Sequence, residues 1–263
     1  PCIDCNRYLK FDKMFQRMRE LEYDYIVTGH YARVEYDEKR DRYLLKKAVD
    51  DTKDQSYVLY MLTQEQLAHV KLPLGGLRKD QVRVIAEKHG FINARKHDSQ
   101  DICFVPDGDY AKFIEKYTGK KTPEGDFVDK EGNYIGRHKG IIHYTIGQRR
   151  GLGIPAASRL YVCEISPKTN TVVLGDNSDL FSSELEADSV NLISVADLSE
   201  PKRVTAKIRY RHKEQPAIAW QTPDGILHVK FDEPQRAITK GQAVVMYDGN
   251  EVVGGGVINK IYN

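Results

Sequence analysis

Apolar positions recur at two periods along this chain, and the change of period divides it. Tyr8, Phe11, Phe15, Met18 and Leu21 fall three and four apart, the spacing that lays one stripe along a helix. Tyr25-Ile26-Val27 then reads as a short buried strand ending in Thr28-Gly29-His30. Helix, strand and a glycine turn at the strand's carboxyl end is the rhythm of a parallel α/β sheet, where ligands sit beyond those ends. Tyr31 to Val34 and Tyr43 to Lys46 pattern as hairpin strands about the charged tip Asp37 to Asp41. Helices are predicted from about Ser56, from Gln64 after Thr63, and over Arg78 to His89, where Gly90 stops the last. Phe91 to Ala94 reads as a strand leading toward Cys103, and Asp109 to Tyr117 as a short helix.

Beyond that helix the period falls to two. Short alternating segments at Tyr134-Ile135, Leu160 to Ile165 and Thr171 to Leu174 predict a small β domain, with Ser166 to Asn170 as a hairpin loop. Val204 to Tyr210, Ala217 to Trp220, Ile226 to Phe231, Ala243 to Tyr247 and Val252 to Ile258 predict a second. The turns TPDG and YDGN support it, and five or six short strands favour a small barrel over a sandwich. The resulting expectation is a multidomain α/β and β chain divided at 1–107, 108–183 and 184–263.

The 263 residues carry 30% charged and 10% aromatic side chains, a globular and not a disordered composition. No apolar run approaches the length of a membrane span. Four cysteines (Cys2, Cys5, Cys103, Cys163) are too few for a disulfide scaffold, so reduced thiols and a cytoplasmic setting are expected. The net charge of +2 conceals a pattern. Residues 132–163 contain no Asp or Glu, residues 169–201 no Lys or Arg, and Lys202 to Lys213 hold six Lys or Arg and no acid. Two basic blocks about an acidic one suggest a polyanion-binding face with a solvated outer side.

Candidate chemistry gathers in a few places. Cys103 lies between Ile102 and Phe104 after the polar run His97 to Asp101; taken alone, it reads as a buried structural thiol. Cys2-x-x-Cys5 admits three readings: half a zinc site, a redox pair of thioredoxin type, or a reactive thiol at a helix start. The last suits Cys5, one residue before the expected cap Asn6, because the dipole of a helix start favours a thiolate. Lys53, Asp54 and Gln55 share one loop that is suited to a phosphate and a base edge. Ile146 to Gly153 (IGQRRGLG) combines three glycines with the adjacent forks Arg149 and Arg150, without the spacing of an NTP-binding loop, and reads as a flexible basic loop facing RNA.

The stretches CNRYLKF, YIVTGHYARV, KDQSYVLY, DSQDICFV, HYTIGQRRGLGI, KIRYR and GQAVVMYDGNEVVGGGVI occur in this order and together span nearly the whole chain. In this the chain resembles the bacterial tRNA-specific 2-thiouridylase family, which places sulfur on the wobble uridine of Glu-, Gln- and Lys-type tRNAs. The resemblance implies the C-terminal part of a PP-loop (adenine-nucleotide alpha-hydrolase-like) α/β domain, then a central β domain and a C-terminal β-barrel. It implies ATP with Mg2+ as the agent that adenylates the uridine C2 oxygen. It also implies a persulfide carrier at Cys103, and a partner thiol at Cys5 that forms a disulfide with it as the product leaves. Gly29 would contact the nucleotide; His30, Lys53, Asp54, Gln55, Arg209, Tyr210 and Gln242 would contact tRNA. Sulfur would come from a cysteine desulfurase or a carrier protein. The chain departs from the family twice. Cys2 stands where many relatives carry an Asp, leaving a base role to Cys2, to Asp4 or to no group. No SGGVDS-type ATP loop is found, so the expectation is a fragment that does not bind ATP productively by itself. The rival reading is a tRNA-binding module without catalytic activity.

Overall fold

The computed structural model describes residues 2–96, 102–105, 107–155 and 158–262. They form two compact units, one from residues 1–98, 184–233 and 240–260, the other from 99–183, 234–239 and 261–263. The architecture is multidomain, α/β and β.

The first unit opens with one helical run: α1 (Cys2–Asp4), a π-helical stretch over Cys5–Phe11, and α2 (Asp12–Glu20). Phe11, Phe15 and Met18 are buried, as their spacing predicts, whereas Tyr8 and Leu21 are exposed. The wider π turn carries Tyr8 off the 3.6-residue stripe, and Leu21 lies past the helix end. Strand β1 (Ile26–Val27) follows, then the hairpin β2 (Ala32–Asp37) and β3 (Arg42–Lys47), paired from Ala32↔Lys47 to Asp37↔Arg42. Helix α3 (Ser56–Leu59) begins a wholly buried segment, and α4 (Gln64–Ala68) starts at Thr63 with a reciprocal capping box to Gln66. Strand β4 (Val70–Lys71) pairs in parallel with β1, and α5 (Lys79–Lys88) ends before Gly90, whose φ is +70°. Phe91 to Ala94 is a turn and not the expected strand. Its amides bond locally, Phe91 N–H to the Ala86 carbonyl and Ala94 N–H to the Phe91 carbonyl, and Phe91 and Ile92 are exposed.

In the second unit α6 (Tyr110–Thr118) is capped by Asp109, whose carboxylate accepts from Lys112 N–H at 3.0 Å. Strands β5 (Gly125–Val128), β6 (Tyr134–His138), β7 (Tyr161–Ser166) and β8 (Thr171–Gly175) form a sheet in the order β6-β5-β8-β7. Phe127, Val162, Val172 and Leu174 fill its core. Strand β5 lacks a sequence signal: four residues beginning at a glycine are too few to display a period.

The rest of the first unit is the barrel: β9 (Phe181–Leu192), β10 (Lys202–Lys207), β11 (Gln215–Gln221), β12 (Leu227–Arg236), β13 (Ala243–Asp248) and β14 (Glu251–Tyr262). The order β13-β10-β11-β12-β9-β14 closes through β13–β14, and β3 and β2 continue outward from β14. The acidic block is therefore not merely a solvated side. It contains β9, where Leu185 and Ala187 are fully buried between Glu184, Glu186 and Asp188. The α3 segment is docked on this barrel. Tyr57 donates its hydroxyl to the Ala243 carbonyl at 2.8 Å, and Asn191 donates its side-chain amide to the carbonyls of Tyr60 and Leu62 at 2.6 and 2.9 Å. Gly255 makes room for this contact, since a Cβ there would stand 2.4 Å from the Val244 carbonyl oxygen and 2.8 Å from the Tyr60 ring. No helix among the described residues is long and apolar enough to cross a membrane.

Candidate functional site: thiols and a basic cleft

The helical run starts at Cys2, so Asn6 is inside it and not its cap. Asn6 is buried and donates its side-chain amide to the Cys2 carbonyl at 2.9 Å, tying the first turn together. Cys2 is exposed and Cys5 half-buried, and all four cysteines are free thiols. Helix α1 packs against α3, and Cys2 lies close enough to Tyr210 to influence its ionisation. Further along the run, the Phe11 ring lies 5.7 Å from that of His30. Burial, with a smaller contribution from Lys10, lowers the His30 pKa to about 4. Thr28 Oγ1 holds His30 Nδ1 at 2.9 Å. Gly29 is exposed, and a Cβ there would meet only ordinary contact with Leu74 at 3.5 Å. The fold leaves this position open.

The loop before α3 is organised by its own polar side chains. Asp54 accepts from Ala48 N–H at 2.9 Å, from Ser56 N–H at 3.3 Å and from the Ser56 hydroxyl at 2.7 Å. Gln55 exchanges two bonds with Tyr31, accepting its N–H at 2.9 Å and donating its own backbone N–H at 2.8 Å. Lys53 is half-buried beside them. Tyr210 donates its hydroxyl to the Asp54 carbonyl at 3.2 Å and stands 5.9 Å from the Tyr57 ring. Burial first, then the Asp54 carboxylate, pushes the Tyr210 phenol up. Arg209 is half-buried next to it, close enough to Tyr57 to influence that phenol.

Asp54 and Tyr210 border an open cleft of about 860 Å³, lined further by Arg33, Lys47, Arg78, Lys207 and Arg211 against Asp51 and Glu214. Lys207 was not singled out by the sequence reading. Its ammonium stands 5.8 Å from the Tyr57 ring and 5.9 Å from the Tyr210 ring, and burial lowers its pKa. Its signal was two-residue alternation with Arg209 inside KIRYR. Lys47, also missed, is held by Glu214 at 2.7 Å and by the Gly249 carbonyl at 2.8 Å. A cleft of this charge, with the Tyr210 ring in its wall, suits a phosphate-bearing strand. Gln242 is exposed at the entrance to β13, where its carbonyl accepts from Ile258 N–H.

In the second unit Cys103 is exposed on a turn closed by Val105 N–H to the Ile102 carbonyl at 3.0 Å. Val105 is buried, and Phe104 packs 5.3 Å from Phe113 of α6. The turn is thus anchored by its apolar residues while the thiol stays accessible, which removes the reading as a buried structural cysteine. The polar approach at 97–101 lies outside the described residues. Cys163, by contrast, is half-buried, and burial pushes its thiol up. Arg149 and Arg150 are exposed. Their loop backbone is tied by Gln148, which accepts from Thr145 N–H at 3.0 Å and donates to the Arg150 carbonyl at 2.9 Å, with Gly147 and Gly151 at φ +85° and +77°. Among the described residues, no group of three or more His, Cys, Asp or Glu is placed to hold a metal ion.

Three family models cover this chain in sequence: a tRNA methyl transferase HUP domain over residues 1–107, a tRNA methyl transferase PRC-barrel domain over 111–176, and an aminomethyltransferase beta-barrel domain over 182–258. An α/β unit with a cysteine-bearing helix start, followed by two β modules matched in this way, defines a protein of the tRNA-modifying class. Among known proteins the chain is 55% identical over 260 residues to the tRNA-specific 2-thiouridylase MnmA of Clostridioides difficile, covering 99% of this chain and 72% of that one. It is 54% identical over 258 residues to the MnmA of Acetivibrio thermocellus, covering 98% and 72%, and 53% identical over 260 residues to an MnmA of a Thermoanaerobacter species, covering 99% and 71%. The chain belongs to the tRNA-specific 2-thiouridylase (MnmA) family.

Proposed function

We propose that this chain serves in the transfer of sulfur to C2 of a tRNA uridine, at the wobble position, with Cys103 as persulfide carrier and Cys5 as its partner thiol. The observation that carries the reading is Cys103 itself, an exposed free thiol on an anchored turn, in a chain more than half identical to named 2-thiouridylases. ATP with Mg2+ supplies the activation that turns the C2 oxygen into a leaving group. Gly29, open beyond the end of β1, is the residue described here that suits close approach of the nucleotide, in keeping with a PP-loop type of α/β module. The terminal persulfide sulfur bonds to C2 as the activated oxygen departs. The Cys5 thiolate then attacks Cys103 Sγ, the sulfur–sulfur bond to the base breaks, and the base leaves as 2-thiouridine while a Cys5–Cys103 disulfide remains.

The basic cleft, with Tyr210 in its lining, holds the tRNA backbone; the family resemblance adds His30, Lys53, Arg209 and Gln242 as tRNA contacts, and Arg149 and Arg150 serve as further phosphate contacts. Asp54 and Gln55 act chiefly by shaping the loop. The target base leaves its stack to be reached. The modules run over 1–107, 108–183 and 184–263, the setting is cytoplasmic, and the sulfur donor is a cysteine desulfurase or a carrier protein. Introducing Cys5→Ser and Cys103→Ser separately into the gene tests the reading. Each is expected to bring 2-thiouridine in cellular tRNA to background while tRNA binding persists. Retained 2-thiouridine in either strain overturns the assigned role.

A further inference from the structure

Cys2 has no part in the sulfur transfer just described, yet it occupies the first turn of the same helix as Cys5. We propose that Cys2 and Cys5 form a dithiol–disulfide couple, in which Cys2 is the resolving thiol that displaces any sulfur partner bound to Cys5. The inference rests on the proposed role of Cys5 as the thiol left in a mixed disulfide.

Three observations support it. First, Cys2 and Cys5 are three residues apart in one helical run, so they face the same side, one turn apart. Side chains at that spacing stand about 5–6 Å apart at Cβ, and a disulfide needs about 3.5–4.5 Å. The difference is one that a terminal turn accommodates more readily than a helix interior, because helix ends fray. Second, the turn is pinned from within by Asn6, whose amide bonds the Cys2 carbonyl at 2.9 Å, so both sulfurs belong to one ordered element. Third, their exposures differ. Cys2 is exposed and Cys5 half-buried, which makes Cys2 the sulfur that an external reductant meets first.

The chemistry balances without a further oxidant. The Cys2 thiolate attacks Cys5 Sγ, a Cys2–Cys5 bond forms, and the former partner leaves as a thiolate. In the proposed reaction that partner is Cys103, which is thereby freed to accept its next persulfide sulfur. A dithiol reductant then attacks Cys2 and Cys5 leaves as thiolate; the reductant's second thiol displaces Cys2 from the mixed disulfide, Cys2 leaves as thiolate, and the reductant departs as its own disulfide.

Oxidised glutathione is a direct probe. It can modify either thiol by exchange; at Cys5 it forms a mixed disulfide and releases one glutathione thiolate. Attack by Cys2 releases the second and leaves the internal disulfide. The purified protein is incubated with oxidised glutathione, and the peptide carrying both cysteines is read by mass spectrometry, alongside Cys2→Ser. The wild-type protein is expected to show a Cys2–Cys5 disulfide, with the Cys5–glutathione adduct at least ~10-fold scarcer than in Cys2→Ser, because an intramolecular thiol acts at high effective concentration. A persistent adduct of equal amount in both proteins, adducts on both cysteines, or no bond at Cys5 in either protein overturns the proposal. Failure of the underlying reading is distinct, since it appears as 2-thiouridine retained in the Cys5→Ser strain.

Discussion

Two polar segments assigned to tRNA from the sequence are built in opposite ways. In the first unit, the loop from Lys53 to Gln55 and the strand end at Lys207 are half-buried and engaged: Asp54 accepts three hydrogen bonds, Gln55 clasps Tyr31, and Lys207 stands against two tyrosine rings. In the second unit, the backbone from Gln148 to Arg150 is tied down while both arginines stand exposed. The first arrangement fixes where charge sits and makes the charged groups part of the fold. The second presents charge from a fixed backbone and asks little of it structurally. A substitution in the first therefore tests folding and binding together, whereas one in the second tests binding nearly alone.

The sharpest separation is expected from Asp54→Ala. It leaves two amides and a hydroxyl without their acceptor and should lower the unfolding free energy by about 2–3 kcal/mol, measured by denaturant titration. A stable variant that fails only in tRNA binding would erase the contrast. Lys207→Ala comes next, with tRNA affinity expected to fall about 10-fold and the slope of affinity against salt to drop by about 1. Arg149→Ala and Arg150→Ala should each weaken binding only about 2- to 3-fold, with thermal stability unchanged. Equal effects at Lys207 and at the arginines would mean that burial between rings adds nothing.

The effect of His30 is absent near neutral pH and is read only along the pH axis. Its folded pKa of about 4 lies below its ordinary 6.5, so the unfolded chain binds the extra proton over that interval. The corresponding stability is whole above pH 6.5 and is lost as the pH falls toward 4. His30→Gln should flatten that part of a stability–pH profile; an unchanged slope would show that His30 is not its source. Near neutral pH His30 is therefore a neutral ring, unlike the arginines.

Much of this fold was legible where one local signal dominated. Thr63, Gly90 and Asp109 marked helix ends, and alternation marked β10, β11 and β13. Strand β9 was hidden because its outward positions carry carboxylates, so its charge outweighed the burial of Leu185 and Ala187. Phe91 and Ile92 misled in the other direction, being apolar but exposed on a turn. The π stretch has no residue signature, and an α turn over Cys2–Asp4 ahead of it puts the helix start at Cys2 and not at Asn6. Within the candidate site, Cys5, Tyr210 and the Lys53 to Gln55 loop were singled out by motif. Lys207 was overlooked because its significance comes from Tyr57, one hundred and fifty positions earlier in the chain.

The closing strand has a consequence in time. Strand β14 joins β13 to complete the barrel and also carries β3, through Glu251 opposite Lys46. On the ribosome, β2 and β3 emerge long before the strand that completes their sheet. Until β14 is synthesised, the β3 edge and the Tyr60 surface wait unpaired, and contacts this distant in sequence form slowly. Nascent chains should therefore remain dependent on chaperones until β14 has emerged, with native structure in the first unit appearing only then.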